Sequence, residues 1–167
     1  FRELFAAYAV PYLRKGVPSL FADIKPLRAH PRTLEAVCTL ADEGLASLEQ
    51  TGCLPGEPAR ELPSTIVWTR ALVAQLADLC GDSARAFTLI DAAIEHTPTC
   101  LDLYIVKARV HKHAGNPQAA ADVMNTAREM DLQDRYLNTK STRYMLRADR
   151  IADAAATIAP FSSDSNN

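Results

Sequence analysis

LDLYIVKARVHKHAGNPQAAADVMNTAREMDLQDRYLNTKSTRYMLR, residues 101–147, decides the fold, because it repeats the stretch before it at a shift of 34 residues. Gly81 falls on Gly115 and Asp82 on Asn116. Ala74 falls on Ala108 and Ala93 on Ala127. Ala86 falls on Ala120 and then on Ala154, while Ile90 falls on Met124 and then on Ile158. Small residues return where two helices must approach closely, and larger apolar ones where a groove must be filled. A unit of 34 residues with two helices and a turn is the signature of tetratricopeptide repeats. Pro98 and Tyr104 stand where such repeats carry a proline and an aromatic. The expected fold class is therefore all-α, a tetratricopeptide-type helical-repeat solenoid (an α-α superhelix), with a plain helical bundle as the rival. In the third unit Asp149 replaces the turn glycine and Thr142 the small alanine, so looser packing or a different helix angle is expected there.

Working outward, apolar spacing and turn residues predict helices over 64–80, 83–96, 100–114, 117–130, 134–148 and 151–159. They form three repeats, about 67–100, 101–134 and 135–161, within residues 64–160. Residues 161–167 (FSSDSNN) are expected to be a disordered tail. Upstream, residues 1–50 read as helical hairpins with an incomplete first repeat. Helices are expected over 1–15, 18–28 and 32–50. Pro11 should kink or end the first, Gly16 should cap it, and nothing within the chain is an obvious partner for it. Residues 51–63 (TGCLPGEPARELP) hold three prolines and two glycines. They are expected to be a variable, exposed loop that tolerates cleavage. The chain opens on Phe1 and reads as a piece of something longer.

Composition narrows the function class. Apolar content of 48% and charged content of 23% are ordinary for a globular chain, and no apolar run reaches membrane-spanning length. The net charge of −2 names no partner. Residues 101–150, however, hold nine Lys or Arg against six Asp or Glu, so the basic surplus is local. It is too modest for duplex nucleic acid, and sequence-specific nucleic-acid binding is not expected. The cysteines Cys38, Cys53, Cys80 and Cys100 show no paired metal-ligand spacing and read as reduced intracellular thiols. His111 and His113 point to different sides of a helix, so no zinc-hydrolase pair forms. No nucleophile motif or phosphate loop is present. No catalytic residue and no metal site are expected.

A cluster of cations stands out. Arg109, Lys112 and His113 are spaced i, i+3, i+4 on one helix. Lys140, Arg143, Tyr144 and Arg147 share a face of the equivalent helix in the next repeat. Stacked, the two helices would present one patch that calls for an anion. The ordinary reading is a solvated face with scattered salt bridges to Asp102, Asp134 or Asp149. The sharper reading is a site for an acidic partner or a polyphosphate.

The segments YLRKGVPSLFADIKPL (12–27), HTPTCLDLYIVKARVHKHAGNPQAAADVMNTAREMDLQDRYLNTK (96–140) and RYMLRADRI (143–151) resemble the auxiliary subunit of the N-terminal acetyltransferase A complex. RKGVPSLF, residues 96–115 and LQDRYLNTK are the most specific parts. The resemblance implies a large helical solenoid that wraps a small catalytic subunit and helps attach it to the ribosome, in the cytoplasm and away from membranes. That complex acetylates nascent-chain N-termini, and this chain would be a non-catalytic middle piece of its scaffold. The resemblance also implies an inositol hexakisphosphate at the subunit interface. Arg109, Lys112, Lys140, Arg143 and Tyr144 match its basic pattern, with His113 and Arg147 toward the partner. Thr142 and Ser141 stand where relatives often carry Ala and Cys. The rival function is an unrelated tetratricopeptide adaptor for a peptide or chaperone tail. The usual clamp positions are Ala71 and Gln75 here, which leaves such a clamp incomplete.

Overall fold

The computed structural model describes residues 1–161 as helices and short connections. In chain order these are α1 (Arg2–Lys15), α2 (Leu20–Ile24), a 3-10 turn (Lys25–Ala29), α3 (Pro31–Thr51), α4 (Pro63–Leu79), α5 (Ser83–His96), α6 (Leu101–His113), α7 (Pro117–Met130), α8 (Arg135–Arg147), α9 (Ile151–Ile158) and a 3-10 turn (Ala159–Phe161). The expectation for the tail beyond Phe161 lies outside the described residues. The chain divides into two compact units, residues 1–98 and 99–167.

In the first unit, α1, α2, α3 and α5 all pack on α4. Seven successive residues of α4, Ala71 to Ala77, are buried, which is what a helix surrounded by others must provide. Ala9 and Leu13 of α1, Phe21 and Ile24 of α2, and Val37 and Leu45 of α3 share one core with Leu72, Val73 and Leu76. Two expectations for α1 are corrected. It has a partner within the chain, α4. It also runs through Pro11 to Lys15, because Pro11 and Ala7 are both exposed. The carbonyl that loses its donor can therefore be met by water, and the ring faces no neighbour. The helix expected over 18–28 is shorter: Pro26 tightens its second half into the 3-10 turn. Gly16 does close α1, with φ 66°, and the Val17 amide donates to the Tyr12 carbonyl at 3.0 Å.

The connection 52–62 is largely exposed, but it is pinned rather than free. Arg14 donates to Glu61 at 2.5 Å and to Glu57 at 3.0 Å. The Ser47 hydroxyl donates to the Cys53 carbonyl at 2.8 Å, and the Glu61 amide to the Gly52 carbonyl at 2.8 Å. Leu54 is buried over Gly44, where a Cβ would stand 3.9 Å from its methyl.

In the second unit each helix packs on the next: α6 on α7, α7 on α8 and α8 on α9. The 34-residue spacing appears in the helix bounds themselves. α6 and α8 start at 101 and 135, α7 and α9 at 117 and 151. α5 in the first unit starts at 83, in the same register. The turns are one structure repeated. The amides of Asp82, Asn116 and Arg150 donate five residues back to the carbonyls of Ala77, His111 and Met145, each at 2.9 Å. The residue before each has positive φ: Gly81 88°, Gly115 79° and Asp149 56°. Asp149 therefore makes the same turn as the two glycines, because aspartate reaches the left-handed conformation without a glycine. Asp82 and Asn116 cap their helices through side-chain oxygens. Arg150 makes no such cap and instead holds Asp122 of α7 at 2.6 Å and Asp153 of α9 at 2.8 Å. Ala108, Ala120, Ala121 and Ala127 are fully buried with Met124, as close helix approach requires.

Candidate functional site: a cationic strip on α6 and α8

The site begins with how α8 starts. Asp131 accepts from the amides of Gln133 and Asp134 at 3.1 and 3.2 Å. Asp134 then caps α8, accepting from Tyr136 and Leu137 at 2.7 and 3.1 Å. Asn138 is 2% exposed, and its amide donates to the carbonyls of Leu132 and Asp134 at 2.9 and 2.8 Å. The run LQDRYLNTK is therefore a turn lock that fixes where α8 begins. At the far end, Gln118 donates to the Ala148 carbonyl at 2.8 Å and ties α7 to the end of α8.

With α8 fixed, rotation of about 100° per residue sorts its side chains. Leu137, Ser141, Tyr144, Met145 and Ala148 turn inward and are buried. Lys140 lies at the edge and is half-buried; Arg143 and Arg147 lie beyond it and are exposed. Tyr144, expected in the patch, is 6% exposed and packs in the core with Ile105 and Leu137. Its ring supports the Arg147 guanidinium, 5.7 Å from the ring centre, instead of presenting a face to solvent. On α6, Arg109 and Lys112 are half-buried and His113 is exposed. Asp102, Arg109 and His113 form a strip spaced seven and four residues apart. Tyr136, Arg143 and Arg147 are their equivalents on α8, each 34 positions on.

One residue of this face, Tyr136, was not singled out by charge spacing. Tyr136 is 60% exposed, and Lys140 donates to its hydroxyl at 2.5 Å while lying 4.8 Å from its ring centre. Their spacing of four residues was the available signal. Asp102 is half-buried, and burial pushes its carboxyl above the usual carboxylate range while nearby Lys140 pulls it back. Ile105 of α6 shares one buried cluster with Leu137, Tyr144 and Met145 of α8, so the two equivalent helices meet in the same core. The arrangement can bind anions through charge-assisted hydrogen bonds from guanidinium and ammonium groups. Among the described residues no group of three or more His, Cys, Asp or Glu could hold a metal ion, and no helix is long and apolar enough to cross a membrane.

The whole chain, residues 1–167, matches the family model described as N-terminal acetyltransferase A, auxiliary subunit. It is 44% identical over 164 residues to the N-terminal acetyltransferase A complex auxiliary subunit NAA15 of Arabidopsis thaliana, covering 98% of this chain and 18% of that protein. It is 35% identical over 163 residues to the human N-alpha-acetyltransferase 16, NatA auxiliary subunit, covering 96% and 19%. A solved structure of Naa15/Naa10 bound to HypK-THB superimposes with a TM-score of 0.85 and 32% identity, over 98% of this chain and 23% of that one. The chain thus spans about a fifth of the length of the relatives it matches. The fold class is the all-α, tetratricopeptide-type helical-repeat solenoid. The hairpins, their 34-residue register and the match along its full length lead to one conclusion: the chain belongs to the family of auxiliary subunits of N-terminal acetyltransferase A.

Proposed function

We propose that this chain is a segment of a non-catalytic scaffold that binds and positions the catalytic subunit of the N-terminal acetyltransferase A complex. The observation that carries this reading is the superposition on Naa15 in an assembly that also contains Naa10, at 32% identity over nearly the whole chain. The scaffold would work in the cytoplasm, on nascent chains at the ribosome, through the full-length protein.

The cationic strip is the part of this segment assigned to the subunit interface. Arg109, Lys112, Lys140 and Arg143 would hold an inositol hexakisphosphate, and His113 and Arg147 would face the partner. Tyr144 would act from beneath, by supporting Arg147. The chemistry of the donor set suits a polyphosphate: guanidinium groups at equivalent positions on α6 and α8, and a lysine ammonium on each helix.

The experiment is co-purification of the full-length protein with the catalytic subunit, followed by acetyl transfer to peptides with a small N-terminal residue. The expected result is a stable complex more active than the catalytic subunit alone. Failure of the two to associate, or acetyl transfer by this protein alone, would overturn the reading.

A further inference from the structure

Cys38 of α3 and Cys80, which caps α4, line one cavity of about 130 Å3 with Asp42, Val73, Leu76 and Arg85. Both side chains line this one cavity, and the Cys80 sulfur is close enough to act on the Cys38 thiol. Cys80 is exposed at the mouth, and Cys38 is half-buried behind it. Arg85 of α5 bridges to Asp42 of α3 with bonds of 2.6 and 3.2 Å, which braces the walls of the cavity. Charge spacing, metal-ligand spacing and the cationic strip leave this pair without a role.

We propose that Cys38 and Cys80 are a reversible dithiol–disulfide site, closed by a small disulfide such as oxidised glutathione. The exposed Cys80 thiolate attacks one sulfur of the small disulfide. A Cys80–glutathione bond forms, the glutathione S–S bond breaks, and one glutathione leaves as thiolate and takes up a proton. The Cys38 thiol then loses its proton to solvent and attacks the Cys80 sulfur. The protein disulfide forms as the second glutathione leaves. Two protein thiols are oxidised and one glutathione disulfide is reduced to two glutathiones.

The order follows from access and ionisation. Burial, the neighbouring Cys80 sulfur and Asp42 push the Cys38 thiol up to about 11, against the opposing pull of Arg85. Cys38 is thus a poor first nucleophile, but it is placed to resolve an adduct on Cys80. The closed bond would staple α3 to the start of the α4–α5 turn. A pair of this kind stays open in a reducing compartment and closes as the glutathione poise becomes oxidising.

The test is intact-mass and peptide mapping of the folded full-length protein after incubation in oxidised and reduced glutathione mixtures, with acid quench and alkylation. The expected result is loss of two hydrogens and a Cys38–Cys80 cross-linked peptide reversed by dithiothreitol. Cys38→Ser should trap a lasting glutathione adduct on Cys80, and Cys80→Ser should leave Cys38 unmodified over the same time. A persistent Cys80 adduct in the unsubstituted protein, a cross-link formed only in urea, or links to Cys53 or Cys100 at comparable yield would overturn the proposal.

Discussion

Trp68 of α4 lies directly over Gly16 at the end of α1: a Cβ at Gly16 would stand 2.3 Å from the indole Nε1 and 2.9 Å from Cε2. Gly16 also has φ 66°, so the position excludes a side chain twice, by conformation and by contact. Gly16→Ala should therefore cost about 2–4 kcal/mol, read as a lower urea midpoint. Adding Trp68→Leu should recover part of that loss. An unchanged midpoint for Gly16→Ala would mean that α1 does not dock as described.

Asn138 predicts a local effect. Its buried amide is shared by two turn carbonyls before α8. Asn138→Leu leaves both without that donor and should cost about 1–3 kcal/mol. Hydrogen exchange should rise first at residues 131–138. Uniform exchange across α6–α9 would instead indicate a general packing defect.

Asp102 predicts a pH dependence. Its folded carboxyl binds a proton more tightly than the ordinary value of 3.8, because burial outweighs the attraction of Lys140. The folded state then holds more protons than the unfolded one, so this group's contribution falls as pH rises through that window. Asp102→Asn removes the fall. The urea midpoint of the variant should gain on the parent as pH rises through and above the ordinary value of 3.8, and hold its lead at higher pH. A parent that gains on the variant as pH rises would show that the attraction of Lys140 dominates.

Arg14 predicts proteolysis. Exposed ion pairs contribute little, but Glu61 retains only 8% of its side-chain exposure, so its pairing matters more. Arg14→Ala should raise cleavage within 52–62 several-fold under limited proteolysis. Equal cleavage rates in the two proteins would show that Leu54 and the Ser47–Cys53 and Glu61–Gly52 hydrogen bonds hold the segment without Arg14.

What was legible in the sequence followed from local chemistry. Gly81 and Gly115 announced two turns because glycine is the usual left-handed residue, and buried alanines at 86, 120 and 154 announced helix approach. The third turn was harder to read because Asp149 adopts the same conformation without the glycine signal. The anchoring of 52–62 was illegible because Arg14 and Glu61 are 47 positions apart and nothing local links them. Charge spacing placed Tyr144 with Lys140 and Arg143, since residues three and four apart share a face. The same arc has an inner edge, however, and Tyr144 is on it. Sequence periodicity locates an arc on a helix, and only the neighbouring helices decide where that arc meets solvent.

We propose that α6 and α8 present one cationic face to the catalytic subunit. This is tested most directly by the affinity of the full-length protein for that subunit, with and without inositol hexakisphosphate. The comparison is between the parent and Lys112→Glu/Arg143→Glu, with helical content confirmed to match. The expected result is about a tenfold or greater loss for the double variant and loss of its response to inositol hexakisphosphate. Unchanged affinity for both the subunit and inositol hexakisphosphate would contradict it.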